Sequence, residues 1–279
     1  MDLVTFLELA ALGVGVGLFG TLIGAGGGFV LTPVLLLLYP TESPETITGI
    51  SLAVVFFNAT SGSIAYARMK RIDYKSGVLF ALASVPGAIA GALTTPLIPR
   101  RSFDLLFGIV LVHGAALLIW CSLRAKEPPH EVEVATGVTV RIHKEASGHE
   151  HRWSYNRWAG IGISAVVGFL SSLLGIGGGI IHVPVMVYAL NFPVHIASAT
   201  SHFTLSVMSL AGTAVHVASG ALSGGHGLRR TLALGLGVLI GAQIGARLSS
   251  RVKGEWIIRS LALALVAVGI RIFIMGALE

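Results

Sequence analysis

Two glycine-rich segments carry the pattern that could do chemistry in this chain. Residues 24–33 have the sequence GAGGGFVLTP, and residues 175–184 have the sequence GIGGGIIHVP. Glycine-rich turns that lead into a helix expose backbone amides, and the helix dipole places partial positive charge at the same point. Such segments can bind an anion without a buried lysine or arginine. The amides that we expect to bind a small oxyanion belong to Gly26, Gly27, Gly28, Gly177, Gly178 and Gly179.

Hydroxyl, amide and imidazole side chains around the two segments complete the predicted site. Each could donate a hydrogen bond to an oxyanion, and each could instead join two helices. The predicted substrate-binding side chains are Thr32, Asn58, Ser61, Ser63, His182, Ser201, Thr204 and Gln243.

Histidine is the residue type available for proton coupling, because no aspartate or glutamate lies near the centre of an apolar run. His182 follows the second glycine triplet by three residues and is the preferred candidate, with His202 as the second. A packed, neutral histidine is the competing interpretation of His182.

Each glycine segment interrupts an apolar run that is too long for one crossing. The first run, Leu3 to Pro40, has 38 residues, whereas about 20 apolar residues span a bilayer. Glycine in a helix interior costs about 1 kcal/mol relative to alanine, so each triplet predicts an unwound segment. Glycine can also serve close helix packing. Two matching interruptions in corresponding halves nevertheless favour a transporter binding site.

The composition is that of a protein that crosses a membrane many times. Of the 279 residues, 54% are hydrophobic and 11% are charged, which lies outside the range of soluble domains. The net charge of +6 comes from basic residues in short loops between apolar runs, as the positive-inside rule expects, and does not indicate nucleic acid. We expect a multi-pass protein of the cytoplasmic membrane.

No cofactor and no metal are expected. The chain has one cysteine, Cys121, which excludes an intrachain disulfide and a CxxC site. The histidines of the middle loop lack the ligand spacing of zinc sites and are interpreted as exposed linker residues. They are His130, His143, His149 and His151.

The chain divides into two homologous membrane halves, residues 1–123 and 158–279. Each half is predicted to contain a glycine-broken or re-entrant helix and three transmembrane helices, in an all-α polytopic fold. Residues 124–157 form a soluble cytoplasmic loop, in which residues 131–143 alternate around a Thr-Gly turn and predict a small β-hairpin. The positive-inside rule fits parallel and inverted repeats equally well. We favour inverted repeats, because broken helices often accompany that symmetry.

Three features together resemble the TauE/SafE sulfite exporter family. They are the doubled motif Gly-[Ala/Ile]-Gly-Gly-Gly-x-[Val/Ile]-x-x-Pro, a Gly-Ala-x-x-Gly-Ala element in the third span of each half, and the soluble middle loop. The resemblance covers nearly the whole chain apart from residues 124–157. It implies a membrane transporter that moves sulfite or organosulfonates, usually outward, whereas the identity of the anion is not carried by the motif. Strict repetition fails at Gln243, His182 and His202, so these residues are expected to hold the specificity.

Two other function classes are compatible with parts of the pattern. A passive anion channel would use the same glycine-rich anion site. An intramembrane hydrolase would need a serine paired with a histidine, for example Ser51 with His202 or His216, but Ser51 lacks a recognisable active-site frame. The expected partners are a small anionic substrate and the lipid bilayer, without nucleic acid, and a homodimer is left open.

Overall fold

The computed structural model describes residues 2–123, 138–223, 226–249 and 254–278, most of which are helical, with one small two-stranded sheet among them. The all-α polytopic fold is confirmed. Five of the helices described are long and apolar enough to cross a membrane, namely α1, α3, α4, α6 and α9. The helices are α1 Leu3–Ile23, α2 Gly28–Leu38, α3 Pro44–Arg68, α4 Tyr74–Thr94, α5 Arg100–Leu123, α6 Arg157–Leu174, α7 Gly179–Tyr188, α8 Val194–Ala218, α9 His226–Leu248 and α10 Gly254–Leu278, and the strands are β1 Val138–Lys144 and β2 Glu150–Asn156.

Both predicted helix breaks are present. The helix α1 ends at Gly24 and α6 ends at Gly175, each in the left-handed region with φ of +84° and +70°. After each break comes a short helix, α2 with 11 residues and α7 with 10 residues. At 1.5 Å per residue these helices cover about half of a 30 Å hydrocarbon core, so we call them half-helices.

Each broken segment is re-entrant, because the chain reverses at the glycines. A Cβ atom at Gly27 would lie 2.8 Å from Cγ1 of Val16, eleven residues earlier in the chain. The half-helix α2 then runs antiparallel to α3, since Thr32 Oγ1 lies 2.8 Å from Ser51 Oγ and Asn58 Nδ2 lies 2.8 Å from Gly26 O. The end of α2 therefore returns toward the end of the bundle where α1 begins.

The two halves are inverted relative to each other. The loop after α2 lies at one end of the bundle, where Thr46 Oγ1 donates to Ala221 O at 3.3 Å and Ser219 Oγ donates to Glu45 Oε1 at 2.7 Å. The loop after α7 lies at the opposite end, where Asn191 Nδ2 donates to Ser154 O in the β-hairpin at 3.4 Å. The predicted inverted repeat is therefore confirmed, and charge counting failed to decide it because both arrangements place the same total number of basic residues on the inside.

Close helix packing explains the Gly-Ala-x-x-Gly-Ala elements. In α4, a Cβ atom at Gly87 would meet the backbone of Ala165 in α6, and one at Gly91 would meet Phe169 in the same helix. In the inverted half, Gly241 and Gly245 of α9 approach the backbone of α1 in the same way. These elements therefore join the two halves through equivalent helix pairs rather than lining a ligand site.

A small β-hairpin in the middle loop is confirmed, and its first strand pairs with residues that follow it in the chain, a pairing that the sequence analysis did not predict. The strands β1 and β2 pair antiparallel from Val138↔Asn156 to Lys144↔Glu150, so the hairpin turns at residues 145–149. Gly148 has φ of +90° and its amide donates to Glu145 O, which closes the tight turn. Residues 131–137 of the predicted hairpin lie outside the described residues. The division into residues 1–123, 124–157 and 158–279 stays a prediction.

Candidate functional site

The two glycine breaks cross face to face in the centre of the bundle. A Cβ atom at Gly28 would lie 2.6 Å from Gly175 O, and one at Gly179 would collide with Cα of Ala25. Apolar side chains lie beside two of these glycines, since Gly177 faces Val55 of α3 and Gly26 faces Leu205 of α8. The structure therefore brings the six predicted glycines together, although their close approach leaves the backbones in direct contact.

Both half-helices begin at this crossing. Their N-cap residues Gly27 and Gly178 have φ of +83° and +64°, a region that residues with a Cβ atom rarely adopt. The first amides of a helix have no acceptor within their own helix, and the dipole is positive there. The positive ends of α2 and α7 consequently meet near the middle of α3 and α8.

The hydroxyls of Thr32 and Ser51 tie the first half to the second break. Ser51 Oγ donates to Gly175 O at 2.7 Å, and Thr32 Oγ1 lies 2.8 Å from both of these oxygens. The hydrolase interpretation is therefore wrong, because the Ser51 hydroxyl is bonded to a backbone carbonyl rather than to His202 or His216.

A hydrogen-bond network holds the first break. Thr21 Oγ1 donates to Asn58 Oδ1 at 2.9 Å, and the Asn58 amide nitrogen donates to Gly26 O. Tyr66 donates to Thr21 O at 2.8 Å, and His202 Nε2 lies 3.3 Å from Thr21 Oγ1. Asn58 therefore supports the first break by bonding its backbone.

Three of the remaining predicted side chains bond to neighbouring helices, and two are buried without a partner among the described residues. Gln243 Nε2 donates to Ser61 O at 2.7 Å, which joins α9 to α3, and Thr204 Oγ1 donates to Gly77 O at 3.4 Å, which joins α8 to α4. His182 is buried with Nε2 3.3 Å from Ser164 Oγ. Ser63 and Ser201 are buried, and their hydroxyls have no hydrogen-bond partner in the part of the chain that the structure describes. Substrate binding and proton coupling by these residues stay predictions.

A group of buried polar side chains beside the second break was missed by the sequence analysis. Their polar atoms, among the residues described, have no hydrogen-bond partner. Ser171 Cβ would lie 3.1 Å from a Cβ atom at Gly178, and Ser172 Oγ would lie 2.8 Å from one at Gly212. The repeat itself is the signal that could have found them, because it aligns Ser172 with Thr21. The group consists of Thr48, Ser171, Ser172 and His216.

Charged residues of the β-hairpin lie at one end of the bundle, away from the crossing. Glu145 bridges Arg71 Nε at 3.0 Å and His151 Nε2 at 2.9 Å. Burial alone would raise the pKa of Glu145, but its hydrogen bonds with Arg71 and His151 outweigh burial and hold that pKa below the ordinary value of 4.5.

The histidines of the middle loop that the structure describes make protein contacts. His143 Nε2 lies 2.8 Å from Lys70 O, and His149 Nδ1 lies 3.3 Å from Ser147 Oγ. His151 bonds Glu145, as above, and His130 lies outside the described residues. The contact of His143 joins the hairpin to Lys70 in the loop between α3 and α4. The contact of His151 joins strand β2 to Glu145 in the turn of the hairpin.

Comparison with known proteins places this chain in a family of membrane transporters. A family model described as "Sulfite exporter TauE/SafE" matches residues 9–272. The chain is 34% identical to the probable membrane transporter protein YunE of Bacillus subtilis over 278 residues, which is 98% of both chains. It is 24% identical to a probable membrane transporter protein of Xylella fastidiosa over 91% of this chain and 88% of that one. No solved structure matches the chain.

Proposed function

The chain belongs to the TauE/SafE sulfite exporter family, and we propose that it exports a small sulfur oxyanion, sulfite or an organosulfonate. The family is one of membrane transporters and not of enzymes, and the chain is a multi-pass protein of the cell membrane. The outward direction and the sulfur oxyanion are suggested by the description of the family.

The observation that carries the proposal is the crossing of two re-entrant breaks between inverted halves. Inverted repeats with broken helices bind their substrate near the middle of the membrane, and half-helix N-termini point at anionic groups. Here α2 and α7 both begin at the crossing, beside Val55 and Leu205. An anion near these two N-termini is favoured by both dipoles, each worth about 0.3–1 kcal/mol or more where water is excluded.

Packing at the crossing favours a transporter over an open channel. The side chains of Val55 and Leu205 lie within about van der Waals distance of Gly177 and Gly26, and Ala25 touches Gly179. An anion can therefore pass this point only after the two halves move relative to each other. Rocking of one repeat against the other is the usual movement in such folds.

Counterflow in proteoliposomes tests the proposal. Vesicles that contain the purified chain and unlabelled sulfite should transiently accumulate labelled sulfite from outside, and the initial rate should saturate with concentration. The same assay with methanesulfonate compares the two substrate classes. Linear flux without counterflow would indicate a passive channel, and flux of only cations or neutral solutes would overturn the proposal.

The variant Gly178→Leu is expected to lose transport in the same counterflow assay. A leucine there needs a left-handed backbone conformation and meets Val167, Met208 and Ser171. We expect counterflow to disappear while the protein stays monodisperse and helical in detergent. Gly162→Leu in α6 is the control, because a Cβ atom at Gly162 meets nothing within 4 Å.

A further inference from the structure

The two inverted halves differ behind their glycine breaks. The repeat pairs Gly20 and Thr21 of α1 with Ser171 and Ser172 of α6, and the contacts agree with this pairing. A Cβ atom at Gly62 of α3 would lie 3.1 Å from Cγ2 of Thr21, and one at the equivalent Gly212 of α8 would lie 2.8 Å from Oγ of Ser172. The same space therefore exists in both halves, and its lining can be compared residue by residue.

In the first half this space is closed by hydrogen bonds within the protein. Asn58 accepts from Thr21 and donates to the carbonyl of Gly26, and Tyr66 donates to the carbonyl of Thr21. The groups nearest the first break are thus used to hold that break. An anion there would have to displace these bonds.

In the second half the equivalent positions leave polar groups without partners. Met208 replaces Asn58, and its Cε lies 3.1 Å from a Cβ atom at Gly178 without offering a donor. His216 replaces Tyr66, and neither of its ring nitrogens has a hydrogen-bond partner among the described residues. The hydroxyls of Ser171 and Ser172 are fully buried and equally unpartnered there.

Buried polar groups are nearly always bonded, because leaving them unpaired costs the energy of their desolvation. Ser171 lies beside Gly178, the N-cap of α7, and Ser172 faces Gly212 of α8. His216 follows Gly212 by one helical turn on the same face of α8. Three unpartnered side chains in this region indicate a ligand with several acceptor atoms. Serine hydroxyls rotate to donate, and an imidazole donates from one nitrogen. An oxyanion with three oxygens on one sulfur accepts all of these bonds at once.

We infer that the transported oxyanion binds in the second half alone, in a pocket formed by Ser171, Ser172 and His216 beside the N-terminus of α7. The inference rests on the proposed function, and it narrows the symmetric pair of glycine sites to one. The first half then serves as the fixed support against which the second half binds its ligand.

Ligand-dependent thermal stabilisation of the full chain in detergent tests the pocket, since a ligand that binds only the folded state raises its melting temperature. Sulfite and methanesulfonate are the probes. For Ser171→Ala combined with Ser172→Ala we expect the dissociation constant to rise at least about tenfold. The single variant Ser172→Ala, which removes one oxygen atom, should show part of the same loss of affinity. It keeps the test informative if the double variant does not fold.

The matched control is Ser209→Ala. This serine is also fully buried, but its hydroxyl donates to Leu205 O within its own helix. We expect its affinity for both anions to equal that of the wild type. A loss of affinity equal to that of the serine pair would overturn the inference.

The variant His216→Tyr rebuilds the first-half arrangement in the second half. A tyrosine at this position can donate to the carbonyl of Ser172 as Tyr66 does to Thr21. We expect the unliganded variant to melt at a higher temperature and to lose its response to anions. Suppose that the anions raise the melting temperature of wild type. If they raise the melting temperature of His216→Tyr or of the double serine variant by the same amount, the pocket is wrong. If wild type responds to neither anion, the pocket and the proposed function both fail.

Discussion

Gly28 of the first break packs directly against the carbonyl of Gly175 in the second, so that a Cβ atom at Gly28 would lie 2.6 Å from that oxygen. The same oxygen accepts from Ser51 at 2.7 Å. Gly28 and Ser51 of the first half thus contact one carbonyl of the second half, which holds the two inverted halves together at their centre.

The first prediction follows from this contact. The variant Gly28→Ala should destabilise the protein by about 1–3 kcal/mol, because the added methyl group meets backbone that cannot move aside. It should also slow counterflow, because separating the halves changes the geometry of both breaks. Chemical unfolding of the detergent-solubilised protein measures the first effect.

Gly15→Ala is the control for that substitution. Gly15 lies in the interior of α1, and a Cβ atom there would meet nothing within 4 Å. Alanine should therefore be neutral or stabilise the helix by up to about 1 kcal/mol. Equal destabilisation by both variants would show that the crossing is not especially tight.

The second prediction concerns the orientation of the halves. After replacement of Cys121 by serine, single cysteines are placed at Glu42 and Asn191, in the loops that follow α2 and α7. A membrane-impermeant maleimide added to intact cells should label one position, and permeabilisation should be needed for the other. Labelling of both from the same side would contradict the inverted repeat.

The sequence was sufficient for the parts of the fold that depend on local pattern. The doubled GAGGGFVLTP and GIGGGIIHVP segments predicted both breaks, because consecutive glycines and a following proline weaken a helix wherever they stand. Transmembrane helices were likewise predicted after each break, and α3 and α9 are long and apolar enough to cross a membrane. The possible homodimer stays a prediction.

The sequence was insufficient where partners come from the other half. Ser51 was weighed as a nucleophile, yet its partner is the Gly175 carbonyl, which lies 124 residues away and becomes a neighbour only when the halves interlock. Ser171 and Ser172 were overlooked because they lie in α6, outside the glycine motif. Their importance depends on the absence of partners among described residues, which only coordinates reveal.

The third prediction concerns Gln243, where strict repetition of the two halves fails. Its amide donates to both O and Oγ of Ser61 at 2.7 and 2.9 Å. Gln243→Ala should lower the free energy of unfolding by about 0.5–1.5 kcal/mol, the usual value of one hydrogen bond. Calorimetry of the purified variant checks this value. A change of anion selectivity without a change in stability would instead support the predicted role of Gln243 in substrate binding.

The fourth prediction is a pH dependence of the β-hairpin. The pKa of Glu145 is held below its ordinary value of 4.5 by Arg71 and His151, so the folded protein binds a proton there less readily than the unfolded chain. This contribution to stability is present above pH 4.5 and is lost as the pH falls through the lowered pKa. The contact of the turn with the α3–α4 loop, where Ala146 N donates to Met69 O, should open as that happens.

Hydrogen exchange of residues 138–156 measures this opening. In wild type, protection of the hairpin relative to the helices should fall by about tenfold or more as the pH is lowered below 4.5, after correction for the intrinsic pH dependence of exchange. Glu145→Gln removes the charge that Arg71 and His151 pair with, so its hairpin should be less protected at neutral pH and insensitive to acid. Protection that falls with pH equally in the variant would assign the titration to a group other than Glu145.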